Sequence, residues 1–319
     1  MVDASTSDGH ADAIKRHARA LGFDACGIAA AAPADPDHGL DAWLDQGFHA
    51  DMDWIARSRA TRRDPALKVT GARSVVVVAR DYYHPRPPAL AGSGHVSRYA
   101  WGRDYHKALK KPLARLSRFI GQRAPGTRSY AEIDTGPVLE RAWAARAGIG
   151  WIGKNSLVLR RDLGSWLFLG VIITTLEATP DAPMRPHCGS CRACMDACPT
   201  GAIVAPGVVD SRKCIAYHTI ENRNAIPSEV AGRMAPWLFG CDICQEVCPW
   251  NQRAAATGAP DFAPRPGVAQ PALDALLRMD EAEFDRIFEG TPVRRAKYAG
   301  MLRNARIVAQ REDSAPGEG

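Results

Sequence analysis

Eight of the nine cysteines lie between Cys188 and Cys248, and only Cys26 stands apart. A secreted disulfide scaffold is short, follows an apolar signal segment and pairs its cysteines. This chain has 319 residues and opens MVDASTSDGHADAIKRHARA, with no apolar h-region. Its longest apolar stretch, Trp166–Thr175, is about half of the ~20 residues a membrane helix needs. The expectation is a soluble, cytoplasmic chain that makes no membrane contact and whose clustered thiols bind metal. Its composition, 46% hydrophobic and 24% charged, excludes a disordered or fibrous protein.

The spacing sharpens that reading. The first run is Cys188-x2-Cys191-x2-Cys194-x3-Cys198-Pro199, the bacterial ferredoxin pattern, in which the fourth cysteine serves the other cluster. The second, Cys241-x2-Cys244-x3-Cys248-Pro249, has the same ending without a leading cysteine, and Cys214 between the runs can replace it. By this logic Cys188, Cys191, Cys194 and Cys248 hold one 4Fe–4S cluster. Cys198, Cys214, Cys241 and Cys244 hold the other. Structural zinc competes, since CxxC pairs also build ribbons and fingers, but the x2-x2-x3-Pro run is more specific than such a pair. Cys26, in an apolar strand-like segment, reads as a core thiol. Two clusters make an electron relay. The 187 residues ahead of Cys188 exceed what a carrier needs, so an oxidoreductase with a further redox centre is expected.

Three regions follow: an α/β domain over 1–178, a two-cluster domain over 179–258 and a helical segment over 259–319 with a disordered polar tail. In the first, Ala11–Leu21, Leu40–Arg59 (broken near Gly47), Tyr105–Ile120 and Val138–Ala147 read as helices. Phe23–Ile28, Ser74–Ala79, Arg128–Ile133, Leu157–Leu159 and Trp166–Leu176 read as strands. The alternation indicates an α/β or mixed-sheet domain.

Gly148-Ile-Gly150-Trp-Ile-Gly153 matches GxGxxG but follows a helix and runs toward a strand, the reverse of a dinucleotide-binding turn. As a phosphate loop it fails at Asn155, where Ser or Thr should stand. A glycine-rich connection that lets backbone approach a bulky ligand is the plainer explanation. Asp134, between a strand and a helix start, is either a capping residue or a chemical one. Ser97–Arg128 carries six Arg and three Lys against one Asp, and Thr291–Arg311 carries five Arg and one Lys with no acid. These are solvated faces or phosphate contacts to a nucleic acid.

In order, these motifs resemble the epoxyqueuosine reductase family, cobalamin-dependent iron–sulfur enzymes of tRNA modification. The resemblance runs from about Ala11 to Arg306. It is carried by SRYAWGRDYH (97–106), DTGPVLERAWAARAGIGWIGKNSLVL (134–159), GSWLFLG (164–170), both cysteine runs and GTPVRRAKYAGMLRNA (290–305). It implies an α+β or mixed α/β fold: a nitroreductase-like cobalamin-binding domain, a ferredoxin-like domain with two 4Fe–4S clusters and a short helical C-terminal segment. The helical-repeat domain of some relatives is expected to be absent.

The implied reaction reduces epoxyqueuosine to queuosine at the wobble position of a tRNA with a GUN anticodon. It uses cob(I)alamin, base-off, fed by the clusters, with Asp134 as proton donor. To donate at neutral pH, Asp134 needs a raised pKa, which burial against the corrin would provide. The resemblance further implies that Arg57, Ser97, Tyr99, Asp134, Lys154, Asn155, Val158, Leu169, Ser211 and Asp242 line the cobalamin. Arg294, Arg295, Lys297, Arg303 and Asn304 match the tRNA-side motif. The chain is expected to act as a monomer with an unidentified electron donor. A cobalamin-dependent dehalogenase and a non-catalytic electron carrier are the alternatives.

Overall fold

The computed structural model describes residues 4–34 and 39–312. The tail expected to be disordered lies, from residue 313, outside the described residues.

The Ser74–Asp81 strand (SVVVVARD) organises the first domain. Its branched side chains suit a pleated surface, and their alternation sends Val76 and Val78 to one face and Val75 and Val77 to the other. It is the second strand of a four-stranded sheet ordered Ala25–Ala30, Ser74–Asp81, Leu167–Thr174, Ser129–Glu132. Every pairing is antiparallel: Ile28 faces Val76, Val77 faces Val171, and Ala131 faces Ile172. The alternation of helices and strands along the chain therefore belongs to an α+β sheet, not to parallel crossover units. Alternation sets the connections, while strand direction depends on how the loops return the chain.

Both faces are covered, which explains the unbroken apolar run. On one face the helices Ala4–Ala20 and Tyr105–Gly121 bury Ile14, Leu109, Leu113, Leu116 and Ile120. On the other the Glu140–Arg146 helix packs Trp143 and Ala144. Gly27 is required there, because a Cβ at this position would sit 2.0 Å from the Ala147 carbonyl oxygen. Leu40–Arg59, expected as one broken helix, is divided into Gly39–Asp45 and Asp53–Arg57, with a further helix at Arg59–Arg63.

The cysteine-bearing region has no core of its own. Leu238 and Phe239 pack with Val96 and Trp101 from the first region and with Val293, Met301, Ala305 and Val308 from the last. One hydrophobic cluster thus draws on residues from all three expected regions. The C-terminal helix Lys297–Glu312 lies on the Trp237–Phe239 strand. Among the described residues, no helix is long and apolar enough to cross a membrane.

Candidate active site

Asp134 sits in the loop between the Ser129–Glu132 strand and the Glu140–Arg146 helix, with a positive φ of 61°. Asp is among the few non-glycine residues that adopt this region readily. Its side chain is 61% exposed at the mouth of a cleft of about 240 Å³. Tyr82, Tyr99, Tyr105, Phe168 and Leu169 form the cleft's walls, and Glu140 and Arg141 add charge.

One oxygen of Asp134 meets two donors. The Tyr105 hydroxyl donates to Oδ2 at 2.5 Å, and His106 Nε2 lies 3.3 Å from the same atom. Tyr105 is held by stacking on Phe168, with centroids 4.5 Å apart and planes 8° from parallel. His106 is oriented by Asp104, whose Oδ1 lies 2.8 Å from Nδ1 and also accepts the His106 backbone N–H as the N-cap of the Tyr105–Gly121 helix. The cap that starts the basic helix thus also anchors an Asp104–His106–Asp134 chain.

Asp134 and His106 shift in opposite directions. Partial burial pushes the Asp134 carboxyl up, but hydrogen bonds from His106 and Tyr105, with the charges of His106 and Arg295, outweigh it and the net direction is down. Burial pulls His106 down, yet its bonds to Asp104 and Asp134 and their charges carry it up to about 9. In the chain by itself the pair therefore favours a proton on His106, while the expected rise at Asp134 depends on burial against the corrin. Tyr105 and His106 lie in SRYAWGRDYH and Glu140 and Arg141 in DTGPVLERAWAARAGIGWIGKNSLVL, beside the expected site residues. The Asp-x-His pattern at the helix start was the available signal.

The residues expected around cobalamin do not all share one place. Tyr99 and Leu169 line the cleft with Asp134. Lys154 and Asn155 lie against the cysteine loops: Lys154 Nζ donates to the carbonyls of Gly189 (2.7 Å) and Cys191 (2.8 Å), and Asn155 Nδ2 to that of Cys244 (3.4 Å). Val158 is buried in a hairpin opposite Ile152, and Ser211 is buried beside Cys214. Arg57 is exposed at the end of a short helix.

Asp242 and Ser97 are bonded to each other. Asp242 is completely buried, accepts from the Ser97 hydroxyl and from the Arg98 backbone N–H, and is paired with Arg86 and Arg98. Both side chains join the two halves of the molecule. The GxGxxG stretch is also explained without a ligand. Gly148 ends a helix at φ 67°, and a Cβ on Gly150 would lie 2.1 Å from the Leu159 carbonyl oxygen across the hairpin.

The eight clustered cysteines form two groups in space. Burial raises the Cys194 thiol, and Cys248, Cys188 and Cys191 add to the shift. Cys248 feels Cys188 and Cys191. Burial likewise raises Cys241, which feels Cys244 and Cys214, while Cys214 feels Cys198. Cys244 lies at the junction, perturbed by Cys214 and Cys198 and also by Cys194. A short helix within each run, Ala193–Asp196 in the first and Ile243–Glu246 in the second, packs against the other. Cys26 lies apart in the Ala25–Ala30 strand, its thiol pushed up to about 12 by burial.

On the basic C-terminal segment, Arg294 and Arg295 are about half exposed, paired with Asp285 and Glu221, and Arg295 lies over the exposed Trp54 ring. Lys297 has a φ of 63°. Arg303 and Asn304 are tied into the fold. Arg303 donates to the carbonyls of His218, Asn222 and Asn224. Asn304, fully buried, donates to those of Thr219 and Leu238. Both dock the last helix, Asn304 out of reach of solvent and Arg303 with part of its guanidinium exposed.

Residues 62–135 match the family model described as "Epoxyqueuosine reductase QueG, DUF1730", and residues 187–251 match the "4Fe-4S double cluster binding domain" model. The epoxyqueuosine reductase of Gloeobacter violaceus is 47% identical over 300 residues, 92% of this chain and 93% of that protein. That of Escherichia coli is 40% identical over 304 residues, 93% of this chain and 80% of the relative. A solved epoxyqueuosine reductase with a tRNA-Tyr epoxyqueuosine-modified stem loop superposes with a TM-score of 0.86 at 31% identity, covering 95% of this chain and 82% of that one.

Proposed function

The chain belongs to the epoxyqueuosine reductase family, and on that premise we propose that it reduces epoxyqueuosine to queuosine at the wobble position of a tRNA with a GUN anticodon. It is an oxidoreductase, and its double-cluster domain holds two 4Fe–4S clusters. The observation that carries the reading is the Asp104–His106–Asp134 chain, which brings a proton to the mouth of an aromatic-walled cleft.

The residues present fit the cofactors. The two spatial groups of thiols supply four sulfurs per cube: Cys188, Cys191, Cys194 and Cys248 for one, Cys198, Cys214, Cys241 and Cys244 for the other. The rings of Tyr99, Tyr105 and Phe168, with Leu167 and Leu169, offer the apolar surface that a flat corrin needs, while Lys154 and Asn155 tie that domain to the cysteine loops. When bound, cobalamin supplies a strongly reducing cobalt centre, recharged one electron at a time by the clusters.

The protein's part is positioning and proton delivery. Asp134 presents Oδ2 to the epoxide oxygen, and His106 holds the proton that passes through it. Tyr105 fixes the carboxylate's orientation, and Asp104 stabilises the imidazolium. Opening an epoxide without this proton would leave a poor alkoxide leaving group. The exposed Arg294, Arg295 and Lys297 bind the stem-loop phosphates. The chain works as a monomer with a separate electron donor.

The test is anaerobic reconstitution with iron, sulfide and cobalamin, followed by incubation with an epoxyqueuosine-containing anticodon stem-loop and a chemical reductant. The RNA should lose the mass of one oxygen atom. RNA of unchanged mass, with clusters and cobalamin loaded, would refute the reading.

A further inference from the structure

Converting an epoxide to an alkene consumes two electrons and two protons: epoxide + 2 e⁻ + 2 H⁺ gives alkene + H₂O. The electrons arrive through the cluster domain. The first C–O bond breaks with transfer of a proton to oxygen, leaving a hydroxyl. The second breaks only as that hydroxyl departs, which requires a second proton. The Asp134–His106 unit holds one.

We propose that Glu140 is the second acid, protonating the departing hydroxyl so that it leaves as water. This rests on the function proposed above. Glu140 opens the Glu140–Arg146 helix and lines the same cleft as Asp134, Tyr99 and Arg141. Its Oε1 is buried and has no hydrogen-bond partner among the described residues. Buried polar atoms are almost always paired, so an orphan oxygen on a cleft wall marks a group whose partner is supplied from the cleft.

The cations nearby are engaged elsewhere. Arg62 donates to Ser58 Oγ (2.8 Å) and the Val138 carbonyl (3.1 Å), and Arg141 to the Ser156 carbonyl (2.5 Å) and Oγ (2.7 Å). Neither forms an ion pair with Glu140. Burial pushes the carboxyl up and the Asp134 charge adds to it, against its own backbone N–H, Arg62 and Arg141, to about 7. At neutral pH it therefore cycles readily between the two protonation states. Two carboxyl groups in one cleft with pKa values driven apart is the pattern of divided acid roles. After turnover the Glu140 carboxylate takes its proton back from water.

Glu140→Gln keeps the shape and removes the acidic proton. Single turnover of epoxyqueuosine stem-loop by the reconstituted holoenzyme should slow by about 10²-fold or more, with iron content and stem-loop affinity unchanged. The decline of the wild-type rate as pH rises through about 7 should disappear, and Glu140→Asp should restore part of the rate together with that limb. Independently of turnover, the infrared band of a protonated carboxyl should titrate near pH 7 in the wild type and be missing in the Gln variant. Turnover within twofold of wild type with the same pH profile overturns the proposal. So does a loss explained wholly by weaker RNA binding, which would make Glu140 a binding group. If wild-type holoenzyme leaves epoxyqueuosine RNA unchanged, the functional reading itself has failed. An active wild type with an unaffected Gln variant removes only Glu140.

Discussion

The Tyr105 hydroxyl and Asp134 Oδ2 are 2.5 Å apart, and the same oxygen faces His106 Nε2 at 3.3 Å, so a single carboxylate oxygen is served by two neighbouring residues at the start of one helix. Because Asp104 caps that helix and bonds the other imidazole nitrogen, the geometry of the proton chain is set by helix initiation rather than by loop flexibility.

Asp134→Asn should preserve the fold, since Asn tolerates the positive φ as well as Asp does. It cannot pass on an acidic proton, so single-turnover reduction should fall by about 10²–10⁴-fold, roughly 3–5 kcal/mol of barrier. Thermal melting and iron content, measured alongside, should stay near wild type. Near-normal turnover would remove Asp134 from the chemistry.

The His106 pKa is raised from 6.5 to about 9 in the folded chain. Its contribution to stability is therefore fully present below about pH 6.5 and is lost as pH rises through about 9. His106→Gln should flatten this part of the melting-temperature profile relative to wild type. It should also slow turnover at neutral pH. Superimposable melting profiles would mean that the imidazole carries no extra proton.

Two four-iron clusters predict about eight iron atoms and eight sulfides per chain. Cys214→Ala should cost close to half of the iron, because only one thiol group contains it. Cys26→Ala should leave the iron count unchanged, since that thiol lies in the sheet. Stoichiometric zinc without sulfide would contradict the relay.

Arg294→Ala combined with Arg295→Ala should weaken stem-loop binding and lower the salt slope by about one to two. Asn304→Ala should behave differently. It strips the Thr219 and Leu238 carbonyls of their donor and should destabilise the fold by about 1–3 kcal/mol. Its effect should be read in thermal melting, with RNA affinity unchanged in the folded fraction. If Asn304→Ala weakened RNA binding without lowering the melting temperature, the docking role would be wrong.

The cysteine spacing carried the metal chemistry into the sequence because tight turns link ligands only two or three residues apart, so local geometry nearly determines their grouping. The Ser74–Asp81 strand was legible for a related reason: a run of branched residues with both faces apolar has few places to go except the middle of a covered sheet. Asp134 was marked by its place between a strand and a helix.

The tertiary structure alone decided which charges are free. Asp242 and Asn304 read as polar site residues; both are fully buried, and partners 60 or more positions away tie each into the packing. Strand direction was equally hidden, because it depends on how long loops return the chain. So was the location of the proton: Asp104, His106 and Asp134 are brought together only when the Tyr105–Gly121 helix docks beside the Ser129–Glu132 strand. A pKa depends on burial and on charges a few ångströms away, and distances of that kind are set by packing, not by position along the chain.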